Sequence, residues 1–337
     1  MKSITTYPKS FNDANKWADY IEILCLLSPD TDLTVDDIYD RISGDKSADE
    51  ESEIIDDFTV EAVTDMREVD NGSDSASKTD YKYKKIKDHF LLLSTRNVQF
   101  NPFYPFIISK KGNRITRVKT LSFKHYTYIY LLFSANLDYF KKFQSRLTHN
   151  FEEISLDVFK KLLPQNAQVH YFGSGGQRGG LFKANKLYDR IKILGDQLGL
   201  HLSSYCTENN IGKNNLGDGG LDLVGWYDFK EKNVGMVTYF AQCACGKEWF
   251  DKQFESHSLN WENKLQFMNR PINLLFTPSS FRKLDGHWLN DGKIRDSIII
   301  DRLRIIRHIS KRENSQNVFR NIDIIEQIFK ERLKYDE

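Results

Sequence analysis

The chain has 337 residues, with 48 Lys and Arg against 47 Asp and Glu, a formal net charge of +1 and 40% hydrophobic residues. This length suits about two domains at roughly 150 residues each and excludes a disulfide-stapled mini-protein. No apolar run reaches the roughly 18 residues of a membrane span, and the N-terminus lacks the apolar stretch of a secretory signal. We therefore expect a cytoplasmic protein that makes no membrane contact and whose four cysteines are reduced thiols.

The charges are unevenly distributed along the chain. Between Asp30 and Asp80 there are 18 acidic and 4 basic residues, a net charge of −14, which leaves +15 on the rest. A basic body suits a polyanion, because Lys and Arg that neutralise phosphates release condensed counterions. An ordinary solvated surface is the alternative, and the composition leaves it open.

The first half of the chain has mostly helical patterns. Apolar spacing predicts helices at Phe11–Leu27, Leu33–Ser43, Tyr81–Leu93, Tyr126–Leu137, Asp138–His149 and Ser155–Leu163. A hairpin is predicted between the third and fourth helices, with its turn at Lys111-Gly112-Asn113. Residues 44–80 are acidic and Ser-rich and are predicted to form a mobile insertion. We interpret residues 1–165 as one mostly helical N-terminal domain with an interaction or DNA-contacting role.

The second half, residues 166–337, has an α/β pattern. The glycine-rich segment Phe172–Phe182 lacks the ending of a nucleotide-binding P-loop and is interpreted as a hinge, with phosphate contact by Arg178 as the alternative. A helix ending near Gly199 follows. Strands are predicted at Asp222–Tyr227, Gly235–Cys245 and Ile272–Phe276, with a helix beginning near Lys247 and a basic helical region from Ser297. The second strand is nearly all apolar, as expected for a sheet covered on both faces.

Two short motifs in this half carry chemistry. In GDGGLDLVGW, residues 217–226, a glycine turn places Asp222 at the start of a strand. In VTYFAQCACGKEWFDKQFE, residues 237–255, the polar Gln242 lies inside an apolar strand. An unsatisfied buried amide costs roughly 1–3 kcal/mol. A metal, a substrate or a neighbouring acid is therefore expected to contact Gln242, unless the backbone satisfies it.

These motifs resemble the PD-(D/E)XK nuclease superfamily, and most closely its Mrr-type restriction endonuclease branch. That branch has a glycine-flanked Asp before one strand and Gln-x-Lys on the next, which Asp222 and Gln242 match. The resemblance covers Val169 to the C-terminus and implies a restriction-endonuclease-like mixed central sheet flanked by helices. The chain departs from the pattern at Ala244, where the family has Lys. Either Lys247 or Lys252 supplies this group from an adjacent element, or the site is inactive.

The resemblance implies a metal-dependent endodeoxyribonuclease that uses Mg²⁺ or Mn²⁺ to hydrolyse phosphodiester bonds. The implied ligands are the carboxylate of Asp222, the side-chain oxygen of Gln242 and the main-chain carbonyl of Cys243. A Gln brings one negative charge fewer than Glu, and Asp189 on the preceding helix matches the place where related nucleases carry an acid.

The basic residues outside these motifs are candidates for DNA contact. They are Arg178, Lys264, Arg304 and Arg307. Trp249, Trp261 and Trp288 are expected to stack on bases or, for two of the three, to pack in the core.

Several other residues have a plainer interpretation. Asp218 is expected to cap the glycine turn, and Glu255 to lie on the surface or reach the edge of the site. Zinc binding by Cys243 and Cys245, joined by His201 and Cys206, is an alternative, but paired zinc knuckles are absent from the sequence.

The resulting hypothesis is a nuclease of restriction or antiphage defence. Its expected partners are DNA and other proteins of a defence system, with a homo-oligomer left open. A catalytically inactive nuclease-fold subunit that binds DNA or assembles a complex is the alternative.

Overall fold

The computed structural model describes residues 7–43, 75–173, 180–230, 235–246, 249–309 and 316–333. The chain divides into two compact units. The first comprises Met1–Leu132, Phe281–Leu289 and Ile325–Glu337, and the second Phe133–Ser280 and Asn290–Ile324. The fold is mixed α/β, with a three-stranded antiparallel sheet and a five-stranded mixed sheet. Among the described residues, no helix combines the length and apolar character that a membrane span requires.

The first unit combines helices with a small sheet. Its helices are α1 (Ala14–Leu27), α2 (Val35–Ser43), α3 (Ser75–Gln99) and α4 (Phe123–Ala135), the last of which begins in this unit. Its strands are β1 (Asp32–Thr34), β2 (Phe106–Ile108) and β3 (Arg114–Arg117), paired in the order β1-β3-β2. The β2–β3 turn has Gly112 at φ +67°, which explains the glycine there.

The core of the first unit contains a buried charged network centred on Arg96 of α3. The Arg96 guanidinium donates to Asp19 at 2.7 Å and to Glu22 at 3.0 Å, and both acids lie on α1. The hydroxyl groups of Tyr104 and Tyr128 each donate to Glu22 at 2.9 Å. All of these side chains are buried, so the network is a buried ion pair completed by hydrogen bonds.

The helices predicted in this region are found, with shifted boundaries. The helix predicted at Tyr81–Leu93 is the longer α3. The helix predicted from Leu33 begins at Val35, because residues 32–34 form β1. The acidic insertion predicted at 44–80 lies outside the described residues as far as position 74, and its last six residues belong to α3.

The second unit contains the mixed sheet. Its strands are β4 (Ala167–Tyr171), β5 (Leu223–Tyr227), β6 (Thr238–Cys243), β7 (Ile272–Phe276) and β8 (Ile298–Ile300), in that spatial order. Strands β4, β5 and β6 pair antiparallel, whereas β7 and β8 run parallel to β6. The helices are α5 (Gln144–Leu162), α6 (Leu187–Leu198), α7 (Glu208–Ile211), α8 (Arg302–His308) and α9 (Gln316–Leu333), which ends in the first unit.

Helices cover both faces of this sheet. On one face, Phe159 of α5 packs against Tyr239 and Phe276, with ring centroids 6.4 and 5.8 Å apart. A Cβ on Gly225 of β5 would lie 3.1 Å from Phe159, so α5 crosses this strand closely enough to require glycine. On the other face α6 packs in a cluster that includes Leu187, Ile191, Leu194, Val224, Trp226 and Phe240.

Four differences from the sequence predictions are found in the second unit. The helices predicted at Asp138–His149 and Ser155–Leu163 are largely one helix, α5, preceded by short 3-10 turns. Because α5 packs on the large sheet, the second unit begins at Phe133 and not near residue 165. The basic region from Ser297 begins with a strand, β8, before α8. The helix predicted near Lys247 is a 3-10 turn at Asp251–Phe254.

Candidate functional site

The two sequence motifs meet where β5 begins and β6 ends. The Oδ2 atom of Asp222 accepts a hydrogen bond from the backbone N–H of Cys243 at 2.7 Å. The backbone N–H of Asp222 donates to the carbonyl of Ala241 at 3.1 Å. The backbone and side chain of Asp222 therefore bond to the residues on both sides of Gln242. Parallel strands β6 and β7 end at the same edge, where ligands commonly bind in α/β sheets.

Gln242 is 4% exposed, and only one end of its amide has a partner among the described residues. Its Nε2 donates to Oε2 of Glu255 at 3.1 Å, whereas its Oε1 is buried and accepts no hydrogen bond. This orientation has a chemical cause. An ionised carboxylate can only accept hydrogen bonds, so the amide nitrogen must face Glu255. The oxygen that the resemblance assigns to the metal is thus the one left without a partner.

Lys252 is the candidate lysine that the structure describes. Its Nζ lies 3.5 Å from Oε2 of Glu255, the same oxygen that accepts from Gln242. The side chains of Lys252 and Glu255 are 40% and 43% exposed, so their ion pair is open to solvent. Lys247 lies outside the described residues. Ala244, at the family's Lys position, is buried and offers no cation.

The carboxyl group of Asp222 is held in an environment unfavourable to its charge. Burial raises the pKa of Asp222 well above its ordinary value, and the nearby carboxylates of Glu152 and Asp218 raise it further. The N–H of Cys243 and the charge of Lys252 act in the opposite direction. A cation bound beside Asp222 would favour the ionised form, which is the usual effect of an opposite charge within a few ångströms.

Glu152 of α5 is an acidic residue of this region that the sequence analysis did not select. It raises the pKa of Asp222, and after burial and Asp222 it also contributes to the raised pKa of the Cys243 thiol. A weak signal was present in the sequence. Glu152 lies three residues before the buried Ser155 and seven before the buried Phe159, on the inner stripe of α5.

The turn before β5 is fixed by local hydrogen bonds and close packing. Asp218 Oδ1 accepts from the N–H of Gly220 at 2.7 Å, so Asp218 caps the turn as predicted. Gly220 has φ +78°, and a Cβ there would lie 2.8 Å from both Cβ and the carbonyl oxygen of Glu255. The turn that carries Asp222 thus packs directly on the residue that orients Gln242.

Arg190 of α6, which follows Asp189, contacts this turn through its side chain. The buried Arg190 guanidinium donates to the carbonyls of Phe172, Gly173, Leu216 and Gly217. These bonds join the end of β4 to the turn before β5. Asp189, in contrast, is only partly buried, and the charged groups with the largest effects on the pKa of Asp222 are Glu152, Asp218 and Lys252. The described contacts thus do not bring Asp189 into the site.

The segment that carries Lys252 and Glu255 is anchored by buried polar side chains. Gln253 donates to the carbonyl of Lys293 at 3.1 Å, and Asn273 of β7 donates to the carbonyl of Gln253 at 2.7 Å. Ser256 donates to Oδ1 of Asn273 at 2.7 Å. The backbone on both sides of Glu255 is therefore tied to the central sheet.

The other predicted contact residues lie apart from this arrangement. Lys264 bonds to the carbonyl of Asn260 and lies 5.0 Å from the ring centroid of Trp261. Arg304 donates to the carbonyl of Ile299 at 2.7 Å, whereas Arg307 is exposed. Arg178 lies outside the described residues.

The predicted tryptophans and thiols lie mostly in the interior. Trp249 and Trp261 are buried, as expected for two of the three tryptophans, and Trp288 stacks on Arg282 in the first unit. Cys243 and Cys245 are free thiols, and burial raises the pKa of both.

The donor set fits a hard divalent cation in chemical type. In the ranges that the structure describes, no group of three or more His, Cys, Asp or Glu side chains is placed to hold a metal. The set implied by the resemblance differs, because it combines one carboxylate with amide and main-chain oxygens. The buried, unpartnered oxygen of Gln242 beside Asp222 matches that set.

Comparison of the chain with protein-family models, with curated proteins and with solved structures finds no significant match.

Proposed function

We propose that this protein is a metal-dependent endodeoxyribonuclease with its active site at the β5–β6 edge. The observation that carries the proposal is the buried, unpartnered Oε1 of Gln242. Gln242 directly precedes Cys243, whose backbone N–H donates a hydrogen bond to Asp222. Leaving such an oxygen without a partner costs about 1–3 kcal/mol, and a bound cation would remove that cost. The proposal includes the restriction-endonuclease-like form of the fold and a role in defence against foreign DNA.

Each residue has a distinct role in this proposal. Asp222, the oxygen of Gln242 and the carbonyl of Cys243 would hold Mg²⁺ or Mn²⁺. When bound, such an ion lowers the pKa of a ligated water and stabilises negative charge on a phosphate. Glu255 fixes the orientation of the Gln242 amide, and Lys252 supplies positive charge beside the carboxylates.

Lys252 and Lys247 are the two candidates for the group that Ala244 lacks. Lys252 has the support of described contacts, because Glu255 links it to Gln242. The second candidate function is a DNA-binding or assembly subunit without catalysis, and the observation that favours it is the buried Ala244 at the Lys position.

The test is cleavage of supercoiled plasmid DNA by the full chain with Mg²⁺ or Mn²⁺. We expect Asp222→Ala to abolish cutting without loss of folding. Lys252→Met is expected to slow it about 100- to 1000-fold, the cost of removing one group that stabilises developing charge. Asp228→Ala is the matched control, because Asp228 follows the other end of β5 and pairs with the exposed Lys230.

The outcomes separate the two candidate functions. Cutting that survives Asp222→Ala would refute the proposed site. Loss of cutting in Lys247→Met but not in Lys252→Met would move the cationic role to Lys247. A wild-type chain that shifts DNA without metal and never cuts it would favour the binding subunit.

A further inference from the structure

The first unit has an element order that suits duplex DNA. Helices α2 and α3 follow β1, and the β2–β3 hairpin comes directly after α3. The strand order β1-β3-β2 places the last strand between the other two. In helix-turn-helix proteins, the second helix of such a pair enters the major groove while the first crosses the backbone. Here α3 is the second helix, although residues 44–74 separate it from α2.

Helix α3 has a buried face and a solvent face. Phe90 and Leu93 are fully buried, whereas Lys84, Lys87 and Leu91 are exposed. The exposed positions recur at spacings of three and four residues, so they form one stripe along the helix. This stripe is therefore open to a partner.

The N-terminal part of the stripe is basic. Residues 79–88 contain four lysines and two aspartates. Within the described residues, neither Lys84 nor Lys87 forms an ion pair. The Lys87 ammonium lies 4.6 Å from the ring centroid of Tyr83, which supports its aliphatic stem and leaves the charge at the surface.

The β2–β3 hairpin adds a second group of positive charges beside α3. Residues 109–119 contain five basic residues and no acidic one, and Lys110 and Lys111 are exposed at the turn. A Cβ on Gly112 would lie 3.5 Å from Oγ of Ser94, so the turn lies against α3. Ser94 is seven residues beyond Lys87, about 10 Å along the same helix face.

Two of the three exposed acids of α2 have local partners. Asp37 accepts from the N–H and hydroxyl of Thr34, and so caps its own helix. Asp36 accepts from the hydroxyl of Tyr83 at 2.9 Å. Helix α2 thus carries three acids against Arg41, whereas residues 79–88 of α3 carry four lysines against Asp80 and Asp88, and residues 109–119 of the hairpin carry basic residues without an acid.

We propose that Lys84, Lys87, Lys110 and Lys111 form a basic face that binds duplex DNA. The solvent face of α3 lies in the major groove, and the hairpin lysines contact phosphates alongside it. The charge complementarity of this face with a polyanion selects DNA as its occupant. The inference deepens the proposed function by naming a surface that holds intact DNA, and it is testable without cleavage.

The experiment measures binding of the full chain to a short fluorescent DNA duplex in EDTA, at salt concentrations from about 50 to 200 mM. The variants are Lys84→Ala with Lys87→Ala, and Lys110→Ala with Lys111→Ala. The salt slope is the slope of log affinity against log salt concentration, and each lost phosphate contact reduces its magnitude by about 0.9. Each pair of alanine substitutions should therefore reduce the fall in affinity over this salt range by a factor of about 12. Lys213→Ala with Lys230→Ala, two exposed lysines of the second unit, is the control and should leave the slope unchanged.

Lys84→Arg with Lys87→Arg should retain the wild-type salt slope, because arginine keeps the positive charge. This variant therefore separates the effect of losing charge from the effect of disturbing the fold. The basic face is wrong if its alanine pairs behave as the control pair does. It is also wrong if the chain binds an RNA duplex more tightly than DNA. Plasmid cutting with Mg²⁺ by a chain that does not bind duplex in EDTA would remove this inference and leave the nuclease. Binding of duplex DNA through this face without any cutting would support this inference and refute the proposed nuclease activity.

Discussion

Replacing Asp222 by Asn should make the protein more stable at neutral pH while destroying its proposed activity. The pKa of Asp222 is raised by burial and then by Glu152, so ionising this group costs folding free energy. The penalty is absent below the unfolded pKa, near 3.9. It accrues as the pH rises and is complete above the folded pKa. Asn keeps an oxygen that can accept from the N–H of Cys243 but carries no charge.

The expected gain is limited by two features of the structure. Asp222 is only partly buried, and its bond from Cys243 is stronger to a carboxylate than to a neutral amide by about 1 kcal/mol. We therefore expect a gain of about 0.5–2 kcal/mol in the free energy of unfolding, the range typical of a single stabilising substitution. The assay is urea unfolding in EDTA at pH 8 and again at pH 3, where the gain should vanish.

Added Mg²⁺ provides the second half of this test. At ten times its dissociation constant, a ligand that binds only the folded state stabilises it by about 1.4 kcal/mol. The wild-type protein should show this increase, and Asp222→Asn should not. An Asn variant that is less stable than wild type at pH 8 would refute the reasoning, because the carboxylate would then contribute to folding rather than oppose it.

Three further predictions concern other positions. Arg96→Ala should lower the free energy of unfolding by about 3–5 kcal/mol, because it leaves two buried acids without their cation. Arg114→Ala, which breaks an exposed pair, should cost less than about 1 kcal/mol in the same denaturant titration. Burial lowers the pKa of His89 to about 3, so stability should fall as the pH drops from about 6.5 towards that value, by about 1.4 kcal/mol per unit. His89→Phe should remove this part of the pH dependence. Gly220→Ala should lower both the melting temperature and plasmid cutting, because its Cβ would clash with the Glu255 backbone. Gly212→Ala shares the positive φ without the clash and should affect cutting little.

Each of these has a result that would contradict it. A loss below 1 kcal/mol in Arg96→Ala would mean that the acids find other partners or take up protons. If the fall in stability at acidic pH is unchanged in His89→Phe, then groups other than His89 cause it. Equal effects of the two glycine substitutions on cutting would point to backbone strain rather than to displacement of Glu255.

The central pair of the site could be predicted from the sequence because its signals are local. A glycine turn before an apolar strand identifies Asp222, and a lone amide in the next apolar strand identifies Gln242. Antiparallel pairing of β5 with β6 then brings the two positions together.

The remaining parts depend on packing between distant elements. Glu152 enters the site only because α5 crosses the sheet, and its sequence resembles any amphipathic helix. Asp189 was selected through the resemblance, whereas the neighbouring Arg190 is the residue whose hydrogen bonds fix the turn before β5, and a change of one position rotates a helical side chain by about 100°. Glu255 contacts Gln242 through a short 3-10 turn, for which apolar periodicity gives no signal.

The charge arrangement at the β5–β6 edge bears on the choice between the two candidate functions. Asp222 is close to the charges of Glu152 and Asp218, and Glu255 lies beside Gln242, so a DNA phosphate brought to this edge would meet several carboxylates as well as Lys252. A surface that only bound DNA would lose affinity through such repulsion, because like charges brought close together in a partly buried site cost free energy. A divalent cation reverses that balance, since it offsets the carboxylates and attracts the phosphate. The carboxylates at this edge therefore favour the proposed metal-dependent nuclease over the proposed DNA-binding subunit.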